Sequence, residues 1–384
     1  MYMLALVLVP MTIVGVLAAT TPETTDFICF WAGPHLILDG RDPYAQAEWN
    51  AVTGGQWLDA LGRFRTGNCS DRFAYPYPLT TAVAMLPFGA LPLDPAAALW
   101  ELTIFITAGL GLRLIARAAA LDRLWTLWFA VLVLSSEMFY GNVLNAQFGG
   151  LTLFALGLLA APRLGPARGT AGIALAALKP HVIFLVPIVR LASMRRSAIF
   201  TAAAFGGLWS LASLALQPTW LAGWAADLSH RRELFNASTT LWTLESVMAA
   251  PGLAMVLLVP ALALLGVASW RAWPLAPIEV TAVAAIAWQL VVPYGLSYDQ
   301  LGPLAVAAAV ILRIAAARTR SWPLLVSAFA VAGILPWLFF SRGKDMIGGR
   351  AGELEILNAL VPVAMCVLLG IALMIRARSV RAAA

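Results

Sequence analysis

The chain has 384 residues, 61% of them hydrophobic and only 11% charged. Soluble domains carry about 25% charged residues, so one soluble core is excluded as the home of this much apolar surface. The net charge of +6 does not point to nucleic acid, because the basic residues are scattered over short segments between apolar runs. Three cysteines, Cys29, Cys69 and Cys366, are too few and too badly spaced for a thiolate metal site or a disulfide framework; Cys29 and Cys69 share one region and leave room for a single bridge.

Residues 2–19 are apolar but lack a basic leader, and further apolar segments follow, so they read as an uncleaved first helix. Residues 20–75 form a long polar loop. Within it, Phe27, Phe30, Trp31, Pro34 and Ile37 make a helical stripe that predicts an amphipathic helix in the membrane interface. Gly40 to Tyr44 has the composition of a turn. Of the apolar pieces 76–91 and 95–112, only one can be a full crossing, which makes the first a re-entrant or broken half-helix. Residues 124–139 and 148–161 form a hairpin. The short segments 169–178 and 182–190 dip toward the outer half and return, with Lys179, Pro180 and His181 at their apex. Residues 197–216 and 246–269 flank a second polar loop, and the pairs 276–293 with 300–317 and 322–340 with 356–375 complete the chain. The expectation is an all-α polytopic membrane protein of about 12 spans, forming one domain over residues 1–384.

The connecting segments sort into two sets. One is rich in arginine: Arg113, Arg117 and Arg123, then Arg163 and Arg168, Arg190 to Arg196, Arg271, Arg313 to Arg320, and Arg376 to Arg381. The positive-inside rule places that set, and both termini, in the cytoplasm. The opposite set carries nearly all the carboxylates and all three histidines, so the chemistry is expected on the outer face.

Candidate site residues follow from that sidedness. Asp26 sits where a helix begins, so capping that helix and acting on a substrate hydroxyl are both open roles. Tyr44 and Tyr75 are aromatic residues at a membrane entry, suited to anchoring or to walling a cavity. Asn142, Asn145 and Gln147 are amides that cap helix ends or meet a substrate. Lys179 and His181 lie in a membrane segment, where an ionisable group marks a functional site with a partner, and an ammonium suits an anionic headgroup. Arg231 and Arg232 place positive charge on the outward side, where a phosphate partner or a solvated ion pair with Glu233 would explain it. Asp299 lies in a tight turn, as a helix cap or as another carboxylate of the site. The segment from Arg342 to Glu355 contains glycines without the spacing of a phosphate-binding loop, and no HExxH, GxSxG or nucleotide-binding pattern occurs. No metal-ligand spacing or cofactor motif stands out among the outward carboxylates.

The order of Thr25-Asp26-Phe27, Gly40-Arg41-Asp42-Pro43-Tyr44, Tyr75-Pro76-Tyr77-Pro78, Leu86-Pro87-Phe88, Asn145 to Gln147 and Leu178-Lys179-Pro180-His181 resembles glycosyltransferase family 87. The resemblance runs over roughly the first 200 residues and implies an integral-membrane transferase of the GT-C class, similar to bacterial mannosyltransferases that use polyprenyl-phosphate mannose. It implies transfer of a hexose to a lipid or glycan acceptor on the outer face of a bacterial cytoplasmic membrane, with inversion. Asp26 would be the general base. Lys179, with His181 or Arg231, would stabilise the departing phosphate, and Tyr44, Tyr75, Asn145, Gln147 and Asp299 would line the acceptor cavity. Two alternatives remain at this point: a transporter or lipid-linked-sugar flippase, which would carry midplane polar pairs and repeated halves, and an O-antigen-type polymerase or ligase.

Overall fold

The computed structural model describes residues 2–22, 25–54, 56–58, 64–66, 74–230, 240–292, 295–317, 322–342 and 355–383. Helices dominate: α1 (Tyr2–Thr20), α2 (Phe27–Leu38), α3 (Gln46–Thr53), α4 (Leu79–Gly89), α5 (Leu93–Ala118), α6 (Arg123–Leu134), α7 (Glu137–Leu144), α8 (Gly149–Leu159), α9 (Pro166–Leu178), α10 (Pro180–Ile183), α11 (Leu185–Leu191), α12 (Arg196–Leu216), α13 (Trp220–His230), α14 (Leu241–Val247), α15 (Leu253–Arg271), α16 (Pro277–Val291), α17 (Leu301–Ala316), α18 (Trp322–Phe329), α19 (Leu335–Arg342) and α20 (Leu360–Ala383). A two-stranded antiparallel ribbon, β1 (Gln56–Leu58) and β2 (Phe64–Thr66), is the departure from an all-helical chain, with Gln56 opposite Thr66.

The span count is lower than the sequence pattern predicts. Among the described residues, 6 helices are long and apolar enough to cross a membrane, and 7 if the bent pair α6–α7 counts as one. They are α5, α12, α15, the Ser297–Ala316 unit, the Trp322–Phe339 unit and the Leu357–Ser379 unit. The expected count of about 12 included apolar runs that fold as shorter pieces: α8 has 11 residues, α9 has 13 and α11 has 7, while α4, expected as a half-helix, has 11. An 11-residue helix reaches about 17 Å, little more than half the hydrocarbon thickness. Hydropathy runs on through the turns that interrupt these pieces, so it overcounts crossings. The multi-pass character stands.

The helix after Asp26 also departs from expectation. Nine residues of α2, from Phe27 to Pro34 and Leu36, are buried, so this helix is enclosed rather than lying as an amphipath in the interface. A helix that is apolar on every side belongs in a core, and α2 packs beneath α3, α4 and α5. In α3, Trp49 and Thr53 face inward while Gln46, Ala47 and Ala51 remain exposed, as an amphipathic helix should.

Local chemistry sets the breaks. Ser136 caps α7 by accepting the Phe139 N–H at 3.2 Å, and the chain turns by 55° between α6 and α7. Pro180 opens α10 and biases the residue before it away from helical backbone. Lys179 accordingly has φ −138° and ψ 71°, ending α9 and freeing its side chain from the helix surface. At the bundle centre, α17 is buried almost throughout and packs against α6, α8, α16 and α20. Helices α5 and α8 approach closely because Gly150 faces the Ile104 carbonyl, where a Cβ would lie 2.3 Å from the oxygen.

Candidate active site

A polar cluster forms where four separated parts of the chain meet: the start of α2, the α7–α8 link, the α9–α10 break and the 3-10 turn Ser297–Gln300 that leads into α17. Asp26 occupies the N-cap position of α2, yet its carboxylate makes no cap hydrogen bond there. Thr25 Oγ1 instead accepts the Phe27 N–H at 3.1 Å. The Asp26 carboxylate accepts a hydrogen bond from Gln147 Nε2 and a longer one, 3.4 Å, from the Tyr298 hydroxyl. Of the two roles open to Asp26, helix capping is therefore not the one its side chain adopts.

The other end of the Gln147 amide extends the chain of contacts. Lys179 Nζ donates to Gln147 Oε1 at 2.7 Å and to Asp299 Oδ1 at 2.6 Å. The Lys179 and Asp299 side chains are only 7% and 5% exposed, so this is a buried ion pair. Asp299 Oδ2 accepts the Leu296 N–H at 3.1 Å and lies 3.6 Å from His181 Nε2. The Lys179 ammonium also sits 5.1 Å from the centre of the Tyr298 ring. Two carboxylates thus share one lysine, with an amide relaying between them. Burial raises the Asp26 pKa above its ordinary value, and the nearby Lys179 charge and the hydrogen bonds from Gln147 and Tyr298 oppose that rise. Asp26 itself is half-buried, so an approach to it remains.

Backbone geometry places Gln147. Helix α7 ends with Ala146 in the left-handed region at φ 52°, with Gln147 N–H bonded to the Asn142 carbonyl at 2.7 Å and Ala146 N–H to the Val143 carbonyl at 3.1 Å. This is a Schellman ending with alanine where glycine is usual. Trp100 Nε1 holds the Ala146 carbonyl at 2.6 Å. Asn142 spans the link by accepting the Gly149 N–H at 2.7 Å and donating to the Tyr298 carbonyl at 2.8 Å.

The remaining predicted residues fall elsewhere. Asn145 donates to the Gly141 carbonyl of its own helix at 2.9 Å. Tyr75 is fully buried between Tyr44, Trp49 and Tyr77, with ring centres about 6 Å apart, which makes it a core residue rather than an open cavity wall. Tyr44 donates to the Tyr77 carbonyl at 2.8 Å, and Tyr77 continues to Phe148, the neighbour of Gln147. Arg231, Arg232 and Glu233, with most of the segment from Arg342 to Glu355, lie outside the described residues. Tyr298 had no assigned part in the sequence reading, and Asn142 was read with Asn145 and Gln147 as a helix-end or substrate amide. The signal for Tyr298 was its place beside Asp299 in an outward turn. No group of three metal-ligating side chains occurs among the described residues. Cys29 is disulfide-bonded and Cys366 is a free, buried thiol, while Cys69 lies outside the described residues.

Fold and site together define a multi-pass membrane protein with a buried carboxylate–lysine cluster at one end of its helical bundle. Residues 75–297 match the sequence model of Glycosyltransferase family 87, more than half of the chain, and the protein belongs to that family. It is a glycosyltransferase, which makes a sugar donor and an acceptor its substrates and sets aside the transporter reading. The matched region holds Gln147, Lys179 and His181, with Asp26 before it and Tyr298 and Asp299 just after it. No curated protein and no solved structure matches the chain.

Proposed function

We propose that the whole chain acts as one GT-C-class domain that transfers a hexose, mannose foremost, from a polyprenyl-phosphate donor to a lipid or glycan acceptor, with inversion. The observation that carries this reading is the half-buried Asp26 carboxylate, unused as a helix cap and bonded instead to Gln147 and Tyr298 beside Lys179. Asp26 takes the proton of the acceptor hydroxyl as that oxygen attacks the anomeric carbon. The bond from that carbon to the donor phosphate breaks, and the polyprenyl phosphate leaves with the electron pair. Lys179 uses two of its three N–H groups on Gln147 and Asp299, which leaves one to meet the leaving phosphate. His181, with 28% of its side chain exposed, stands beside the same ion pair and adds a second donor.

An outward-facing site in a bacterial cytoplasmic membrane, with both termini inside, is favoured by charge and redox chemistry. Along the Ser297–Ala316 span the cluster residue Asp299 and the basic Arg313 lie about 20 Å apart, toward opposite ends. A disulfide at Cys29, three residues from Asp26, fits an oxidising compartment. The test is a donor panel: purified protein is given radiolabelled hexoses on polyprenyl phosphate or on nucleoside diphosphates, with membrane lipid and glycan acceptors. The proposal expects transfer from the lipid phosphate alone. Transfer from a nucleotide sugar would overturn it.

A further inference from the structure

A second polar feature lies at the arginine-bearing end of the bundle, away from Asp26. The turn after α15 and the last turns of α20 enclose a cavity of about 640 Å³ lined by Trp270, Arg271, Trp273 and Arg376. Trp270 and Trp273 are 78% and 73% exposed. Indoles this exposed beside a helix end are ordinary interface anchors when they stand alone. Here they flank two guanidinium groups that differ in character. Arg376 is fixed: it lies 3.0 Å from the buried Glu279 carboxylate and donates to the Ala272 and Pro274 carbonyls at 2.8 and 3.0 Å. Arg271 is exposed, and its side chain makes no hydrogen bond or ion pair among the described residues. Glu279 offsets Arg376, and among the described residues no carboxylate pairs with Arg271 or the exposed Arg378.

Exposed apolar side chains stand further back on the two helices that bound the cavity. Val267 sits one turn before Arg271 and is 45% exposed, while Ile371 shares a face of α20 with Arg378 and is 42% exposed. A guanidinium, two indoles and an apolar track running into the bilayer match a diacyl lipid with an anionic head. We infer that this cavity is a binding site for an anionic phospholipid: its phosphate meets Arg271, its glycerol region lies between Trp270 and Trp273, and its chains run along Val267 and Ile371. A free phosphate would use the guanidinium but not the apolar track. The site holds the loop between α15 and α16 to the end of α20, and it is independent of the sugar-transfer chemistry.

The test uses purified, delipidated full-length protein in detergent. It is titrated with phosphatidylglycerol, cardiolipin or phosphatidylcholine, and bound lipid is counted by native mass spectrometry. The site predicts one tightly held anionic lipid, at least fivefold preferred over phosphatidylcholine, and a loss of about fivefold or more in Arg271→Gln. Trp273→Ala weakens retention of every lipid there without altering head preference. Both changed side chains are exposed, so the fold persists, and circular dichroism checks this. Equal retention by wild type and Arg271→Gln, or equal binding of phosphatidylcholine, overturns the inference. Displacement of the lipid by millimolar inorganic phosphate would assign the site to a free anion instead.

Discussion

Replacing Lys179 by methionine removes the cation that two carboxylates share. A pair of unit charges at 4 Å is worth about 4 kcal/mol at an effective dielectric of 20, and Lys179 and Asp299 are closer than that, at 2.6 Å with both side chains almost fully buried. Removing one partner of such a pair strands a buried charge, at a cost of about 3–5 kcal/mol. Asp299→Asn keeps an oxygen to accept the Leu296 N–H, so the turn at 296–299 retains its bond while the charge is lost. The double variant Lys179→Met with Asp299→Asn leaves no stranded partner in the pair, and its cost falls short of the sum of the two by about 2 kcal/mol. Equilibrium unfolding in mixed detergent micelles, followed by circular dichroism, reads all four proteins. Single costs below about 1 kcal/mol that add to within about 0.5 kcal/mol would refute the buried ion pair.

The pH dependence has two opposite signs. Burial raises the Asp26 pKa, so its contribution to stability is full below the unfolded value and is lost as pH rises through the folded one. Activity runs the other way, because a base must be ionised: kcat should fall on acidification at a pH above the usual carboxylate range, and Lys179→Met should move any residual activity's acid limb to higher pH. A Cβ at Gly149 would lie 2.1 Å from Asn142 Oδ1. Gly149→Ala therefore displaces the residue that ties the α7–α8 link to Tyr298, and transfer should drop at least tenfold, about 1.4 kcal/mol, with helix content unchanged by circular dichroism. Ala146→Gly relieves a left-handed alanine and should stabilise the protein by about 1 kcal/mol in the same unfolding assay.

The apex at Lys179 was legible because its cause is local: a proline following the lysine breaks a helix wherever the chain goes next. Asp26 was found by its position at the end of an apolar run, but its partners are 121 and 272 residues away in sequence, and no local pattern gives those pairings. Gln147 was expected as a cavity amide. The structure adds that it bridges Asp26 and Lys179, a role set by the left-handed turn at Ala146, which an alanine does not advertise. Tyr75 was misplaced for a related reason: tyrosine and proline at a membrane entry look like an exposed anchor, whereas α3 supplies Trp49 to cover the ring. Span number failed where apolar sequence continued through turns, since hydropathy measures the affinity of a segment for lipid and not whether its helix is long enough to cross.

The central claim is that the Asp26 carboxylate accepts the proton of the attacking hydroxyl. The direct measurement is the single-turnover rate of sugar transfer by wild type and by Asp26→Asn, at saturating donor and acceptor, with donor binding measured in parallel. Asparagine keeps the size of the side chain and can still accept from Tyr298, but it cannot take a proton. The account predicts a rate at least a hundredfold lower with donor affinity unchanged; a folded Asp26→Asn protein that transfers sugar at the wild-type rate would contradict it.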